Sequence, residues 1–409
     1  MNVRRLAWRG AAVAACLVAL PAAHATNGYF PHGFGLKAKG MGGAALALTH
    51  DAFAGVNNPA QAAWVGNRLD LGAEVFSPQR SATVSTPMGP MEVDSGKEHF
   101  LIPELGYNVG LSNRLGVGIT VYGNGGMNTE YPAVFPGDSN FFCSSPTTCG
   151  QGKLGVDLMQ LIVAPTVAYK LSEQHSVGVS PLLVYQRFKA YGLQAFGLAN
   201  QGRDSSTGMG VRFGYLGQLG ERFSVGAAFS PRIDMSRFKK YGGLFADNGD
   251  FDIPANFAVG VAVKVTPAVQ VALDYQRIRY SGVRSIGNAS LANFANGFGA
   301  SNGPGFGWQD VKVAKLGVQW QLNPAWTLRA GYNVGSNPVR ADDVYLNILA
   351  PGVVRAHLTV GATYAWSANE ELTVAAWHAR RHNVEGNMPA PTRIGMSQTG
   401  FGLQYSHRF

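Results

Sequence analysis

The sequence predicts an all-β protein: a transmembrane antiparallel β-barrel of about 14 strands with a small N-terminal plug, or hatch, in its lumen. Three observations predict it. Apolar residues recur on every second position through most of the chain. Short polar turns alternate with long connections rich in Gly, Ser, Asn and Pro. The chain is also sparsely charged, 14% against about 25% for an ordinary soluble domain, while its mean hydropathy is zero. A soluble chain of 409 residues covers itself in charge. An inner-membrane chain shows several apolar runs of about 18 or more residues, and this one has a single short run, at its start. Its 53 glycines have no collagen period, and 46% hydrophobic content argues against disorder.

Residues 1–25 read as a secretory signal peptide that is removed. Arg4, Arg5 and Arg9 charge its start, Ala11 to Leu20 is its apolar centre, and Ala23-His24-Ala25 supplies the cleavage pattern. The apolar stretch is too short to span a bilayer as a helix. Cleavage takes the net charge from +9 to +6 and removes Cys16. Cys143 and Cys149, in CSSPTTC, remain, and in an exported protein they are expected to close a small loop as a disulfide.

Residues 26–66 do not alternate. Gly and Ala dominate, with one short helix expected between Ala44 and Ala54. Such a segment can form neither lipid-facing strands nor a core of its own. It is expected to fold as a plug inside the ring, because eight strands already fill with side chains and fourteen leave room.

The barrel is expected over 67–409, with strands near 67–80, 98–111, 114–123, 155–171, 174–190, 209–219, 222–240, 253–266, 268–284, 308–321, 325–336, 354–366, 370–383 and 398–409. Phe257, Val259, Val261, Val263 and Val265 alternate with small or polar residues, as do Trp326, Leu328, Ala330, Tyr332 and Val334. Short turns such as Ser112-Asn113 and Asn323-Pro324 are separated by long loops such as 81–97, 124–154, 191–208, 285–307 and 384–397. A β-sandwich has no reason to sort loop length by parity, whereas a barrel does. Closure also leaves no exposed edge. The last strand sets Phe401, Leu403, Tyr405 and the terminal Phe409 against Gly402, Gln404, Ser406 and Arg408. It resembles the strand by which the barrel assembly machinery recognises its clients.

The chain resembles the FadL/TodX family of outer-membrane transporters for hydrophobic compounds. The matching features are the mature start Asn27-Gly28-Tyr29-Phe30, the Gly-rich Lys39 to Leu48, and Asp51 to Ala60 with its Asn58-Pro59-Ala60. Gly331 to Val339 and Thr359 to Tyr364 resemble the family's late strands. The resemblance implies a plugged barrel carrying long-chain fatty acids or aromatic hydrocarbons. It implies that ligand lands in an apolar groove among outer loops, moves to an inner site near the N-terminus, and leaves sideways at a kink in the third strand.

Counterparts stand in this sequence. Asn27 to Phe30 and Asn58-Pro59-Ala60 would shape the passage through the plug, although the latter is equally a structural turn. Leu193, Phe196, Leu198, Leu291, Phe294 and Phe298 would line the outer groove or simply pack together over the mouth. Gly123, Gly125 and Gly126 would weaken pairing in the third strand or mark its end. Arg187, Lys189, Arg212 and Arg329 are candidate partners for a carboxylate, taken to face inward; barrel cations also bind lipopolysaccharide phosphate.

Other functions fit less well. No GxSxG occurs, since Gly395 to Gly400 has the wrong spacing for a lipid hydrolase, and Gly150-Gln151-Gly152-Lys153 is not a phosphate loop. His378 and His382 lack a carboxylate partner for a metal. Dispersed cations do not suit nucleic acid. A general porin has no use for a plug. The expected partners are hydrophobic small molecules, outer-membrane lipid and lipopolysaccharide, and the assembly machinery, with no cofactor, for a monomer in a Gram-negative outer membrane.

Overall fold

Strands with one apolar and one polar face can cross lipid only if every backbone group finds a partner, which drives the sheet to close. The computed structural model describes residues 27–409 apart from 87, 88 and 146, so the reading of 1–25 as an export signal lies outside the described residues. In chain order the strands are β1 (Arg68–Thr86), β2 (Gly89–Asp94), β3 (Phe100–Gly110), β4 (Leu115–Asn128), β5 (Ser139–Ser145), β6 (Thr148–Gln151), β7 (Gly155–Lys170), β8 (His175–Tyr191) and β9 (Asp204–Leu219). They continue as β10 (Phe223–Ser230), β11 (Asn256–Lys264), β12 (Val269–Ile278), β13 (Val311–Gln321), β14 (Trp326–Gly335), β15 (Ala356–Ala365), β16 (Glu370–Gly386) and β17 (Thr392–Arg408). Each barrel strand pairs antiparallel with its neighbours, and β17 returns to β1 from Arg68↔Arg408 to Val84↔Thr392. β2 and β3 both pair with β1, along Ser81–Thr86 and Arg68–Phe76, so they are two halves of one interrupted strand. Counted so, the ring is a closed barrel of fourteen strands; β5 and β6 form a separate hairpin above it.

The outward face carries the apolar residues of the alternation. On β8, Val177, Val179, Leu183 and Tyr185 are exposed, while Ser176, Ser180, Leu182, Val184 and Gln186 between them are buried. Trp320, Trp326, Tyr364 and Trp366 stand exposed beside the short turns, as an interfacial aromatic girdle requires.

Several expected limits move. The expected loops 81–97 and 384–397 are largely strand, because β1, β16 and β17 run on past the apolar belt. Towards that end β1 and β17 carry Ser77, Gln79, Thr83, Ser397 and Thr399 on the outward parity, so no apolar alternation announces the strand. Conversely, the expected strands 222–240 and 268–284 end at Ser230 and Ile278. Beyond them Phe238, Tyr241 and Tyr280 are buried in the loops that cover the mouth, and their apolar character imitates a strand.

Residues 27–66 lie against the inward face of the ring. No helix forms over Ala44 to Ala54; the short helices are Leu36–Lys39 and a 3-10 turn at Pro59–Ala63. Glycines on the barrel's inner face admit this segment's backbone. A Cβ on Gly116 would sit 2.0 Å from the Ala62 carbonyl oxygen, and one on Gly226 2.0 Å from that of Leu46. Gly178 and Gly214 make the same room for Pro59, at 2.4 and 2.7 Å. Buried ion pairs fix the segment: Lys39 reaches Glu74 at 2.5 Å and Glu104 at 3.3 Å, and Lys37 pairs with Glu371, which Arg68 also holds at 2.5 Å.

Candidate functional site

The turn at Asn27 to Phe30 is held inside the ring. The Tyr29 and Phe30 amides donate to the Tyr280 hydroxyl at 3.0 and 3.2 Å, and that hydroxyl donates to the Asn27 carbonyl at 2.6 Å. The Tyr29 ring lies among Phe30, Phe251, Tyr280 and Trp308, at centroid distances of 5.2–6.5 Å. Tyr280 gives no sequence signal of its role, since it sits in a segment that reads as strand. Gly28 belongs to the same turn, with a Cβ there 2.6 Å from the Tyr280 ring.

Asn58 is a clamp rather than an exposed ligand. Its amide nitrogen donates to the Leu46 and Tyr215 carbonyls, both at 2.8 Å, and its oxygen accepts from the Ala60 amide at 3.2 Å, capping the 3-10 turn that begins at Pro59. It ties the plug to itself and to β9.

In β4 the register slips between Gly123 and Gly125 against β7. The ladder between β3 and β4 ends at Leu105↔Val121, although β3 continues back to Phe100 and β4 on to Asn128. Past Val121 both parities of β4 are largely buried, so this end of the strand turns from lipid into the protein. A Cβ on Gly125 would lie 2.2 Å from the Tyr29 carbonyl oxygen, while Gly123 and Gly126 keep their backbone pairing with Leu161 and Met159. Gly125 thus allows the strand to touch the N-terminal turn.

The outer loops gather an apolar cleft lined by Leu193, Phe196, Leu198 and Phe298 together with Phe142, Phe188, Leu244, Phe245, Phe306, Leu346 and Leu349. Four of the six expected groove residues meet here. Leu291 packs against the surrounding core, and Phe294 stands at the rim with its ring 5.5 Å from those of Phe196 and Phe298. Phe142 comes from the β5–β6 hairpin, which the Cys143–Cys149 disulfide closes. Its ring stacks on Tyr345 at 4.9 Å, and the Tyr345 hydroxyl both accepts from the Cys143 amide and donates to its carbonyl, at 2.9 and 2.8 Å. Burial pushes that hydroxyl up to about 12, so it remains a donor at neutral pH.

A second, small space lies deeper, between residues 27–66 and the wall, lined by Phe30, Phe34, Val56, Tyr122, Asn124, Arg212, Asn256 and neighbours. Arg212 is buried there, but it donates to Asn256 Oδ1 at 3.0 Å and to the Asn57 carbonyl at 3.1 Å. Arg329 also faces inward and is committed to Gln319 and Thr363, at 2.9 and 2.6 Å. Arg187 and Lys189 do not face inward. They share the outward parity of the exposed Leu183 and Tyr185 on β8, because alternation from a strand's lipid face fixes every second residue outside. Among the described residues no group of three His, Cys, Asp or Glu is placed to hold a metal ion.

A sequence profile of the family described as outer membrane protein transport protein (OMPP1/FadL/TodX) matches residues 18–406. Similar solved structures include the P. putida toluene transporter TodX, 19% identical over 92% of this chain and 99% of that one, with a TM-score of 0.68. The Ralstonia pickettii toluene transporter TbuX is 20% identical over 92% and 99%, with a TM-score of 0.66. A Pseudomonas aeruginosa FadL homologue is 14% identical over 93% and 100%, with a TM-score of 0.70. No curated protein matches.

Proposed function

The chain belongs to the outer membrane transport protein family of FadL and TodX, and from that premise we propose that it passes long-chain fatty acids or aromatic hydrocarbons across the outer membrane by passive diffusion. One observation carries the proposal. Apolar side chains form a single buried cluster from the outer loops, at Phe142, Phe188 and Leu193, down to Tyr29 and Phe30 at the plug's start and on to Tyr122 of β4. A hydrophobic solute moving along that lining stays out of water at every step.

In this proposal the outer cavity takes the solute first and the inner space beside Phe30 second. Exit is lateral, where β3 and β4 lack a shared ladder, and 26–66 acts as the seal against the periplasm. The family and the fold argue for a conduit, so no catalytic step is assigned. The protein works as a monomer among lipid and lipopolysaccharide, delivered by the assembly machinery that reads its last strand.

The deciding experiment is uptake by a deletion strain and its complemented partner, with radiolabelled hexadecanoate and with toluene. Loss of uptake of either, restored by the gene, is expected; equal uptake of both by all strains would sink the proposal. A general porin is the second reading, favoured only if the complemented strain also gains permeability to small sugars.

A further inference from the structure

Along β8 the outward parity carries Val177, Val179, Pro181, Leu183 and Tyr185, and then changes to Arg187 and Lys189. Val177 to Tyr185 matches the length a tilted strand needs to cross the hydrocarbon, about 9–11 residues. The two cations therefore stand where the hydrocarbon ends. β8 starts at a short turn and runs into the long connection before β9, so this is its outer end. β9 repeats the change. Its outward Val211 and Met209 give way to Thr207, Ser205 and, just before the strand, Arg203. The register sets Arg187 beside Ser205 and brings Arg203 level with Lys189. The Lys240 ammonium donates to the Arg203 carbonyl at 2.9 Å and joins the edge of the same patch.

The nearby acids do not neutralise this patch. Asp157 of β7 lies opposite Lys189, but it is buried, and the Arg203 guanidinium takes it at 3.5 Å. Asp204 spends one oxygen on the Ser205 amide and the other on the Lys240 amide, at 2.9 and 2.8 Å. Arg187 and Lys189 have no carboxylate oxygen within 4.0 Å among the described residues. Arg187 Nε finds no hydrogen-bond partner, and the Lys189 ammonium lies 5.0 Å from the Tyr191 ring. Like charges set side by side at the edge of a low-dielectric layer repel, and an anion shared between them removes that cost. Neighbouring strands lie about 4.8 Å apart, so one phosphate group can reach cations on both β8 and β9.

We propose that Arg187, Lys189 and Arg203 form an outward docking surface for the phosphorylated sugar head of lipopolysaccharide, the acyl chains lying on Leu183, Tyr185 and Met209 below. Three features fit that one partner. The cations face lipid and not the lumen. They stand at head-group height on the outer side. Met209, 73% exposed, and Leu183 continue the same face downward into the apolar belt. Arg187 offers a phosphate two parallel bonds, and Lys189 adds a point charge. The inference is independent of what the barrel carries.

The test is native mass spectrometry on the full-length purified protein, stripped of lipid. The probes are lipid A bearing two phosphates, the same lipid A after enzymatic dephosphorylation, and phosphatidylglycerol. The variants are Arg187→Gln with Lys189→Gln, the triple variant that adds Arg203→Gln, and, as a control, Lys312→Gln, an exposed cation on β13. Heat-shifted electrophoretic mobility confirms a folded barrel in each. Wild type is expected to prefer the phosphorylated lipid A about tenfold, the weight of one or two charge-assisted bonds. The double variant should lose most of that preference and the triple variant all of it, with binding of the dephosphorylated form unchanged. Lys312→Gln should keep the preference. A wild type without preference would overturn the proposal, as would folded variants that retain it, an equal loss for both forms of lipid A, or an equal loss in Lys312→Gln. Phosphatidylglycerol retained as tightly as lipid A would overturn the assignment to lipopolysaccharide. If the multiple variants do not fold, Lys189→Gln decides alone by the same ratio.

Discussion

Single residues hold the plug, and they do so by satisfying buried polar groups. Asn58 answers two carbonyls and one amide at once. Asn58→Ala leaves those partners buried and unmet, at a cost of about 1–3 kcal/mol. The expected result is a barrel that stays folded by heat-shifted mobility but flickers open in planar bilayers. Glu371 is a stronger case, because Lys37 and Arg68 share it. Glu371→Ala leaves Lys37 buried without a carboxylate, while Arg68 keeps Asp70 at 2.8 Å, and about 3 kcal/mol is expected to be lost, read as a lowered denaturant midpoint of the purified barrel. At the outer surface Asp247 clasps two loops, held below the usual carboxylate range by the Ser301 hydroxyl and the Arg284 guanidinium. A depressed folded value means that the clasp contributes above the unfolded carboxyl's value near 4, and that the contribution is lost as pH falls through the folded value. Asp247→Asn should therefore speed amide exchange in 243–250 at pH 7, and the difference from wild type should shrink as pH falls through the folded carboxyl's depressed value.

At the scale of elements, strand length and membrane thickness part company. β1 has 19 residues, yet its outward face is apolar only through Val75 and turns polar at Ser77. A tilted membrane strand needs about 9–11 residues, so the upper half of β1, with β2 and the paired ends of β16 and β17, stands above the hydrocarbon. A cysteine at Gln79 should react with a membrane-impermeant maleimide on whole cells, while one at Ala73 should not; protection of both would bring the whole strand into the bilayer. The sequence marks the lower half of this strand by its alternation and leaves the upper half unmarked, since a strand in water needs no apolar face. The β5–β6 hairpin is legible only as a disulfide loop. That it delivers Phe142 to the outer cavity depends on Tyr345, some two hundred residues away in sequence.

For the whole molecule, the glycine content has a mechanical explanation. Gly106, Gly116, Gly226 and Gly331 face the lumen where the plug's backbone passes, and a side chain at any of them would strike it. Plug and wall are therefore matched along the ring, and the plug is not a separable body resting in a pipe. Gly226→Leu should displace the plug without disturbing the lipid face, giving larger single-channel conductance from a barrel of unchanged strand content by circular dichroism. Deleting 26–60 should give larger conductance still; unchanged conductance would remove the plug's role as a seal.

The sequence by itself determined the barrel, its strand number, its turn parity and the place of the non-alternating segment, because period-two burial and short turns are local facts of the chain. It also named the Gly125 region, the four loop residues of the outer cavity and the inward Arg212 and Arg329. Parity along β8 turns Arg187 and Lys189 outward with Leu183 and Tyr185, against the inward placing expected for them, and only the tertiary structure decided where β3 and β4 stop pairing. It alone decided that Tyr280 holds the turn at Asn27 to Phe30. Those facts depend on contacts across the lumen between segments hundreds of residues apart, and periodicity along a strand carries no record of what stands opposite.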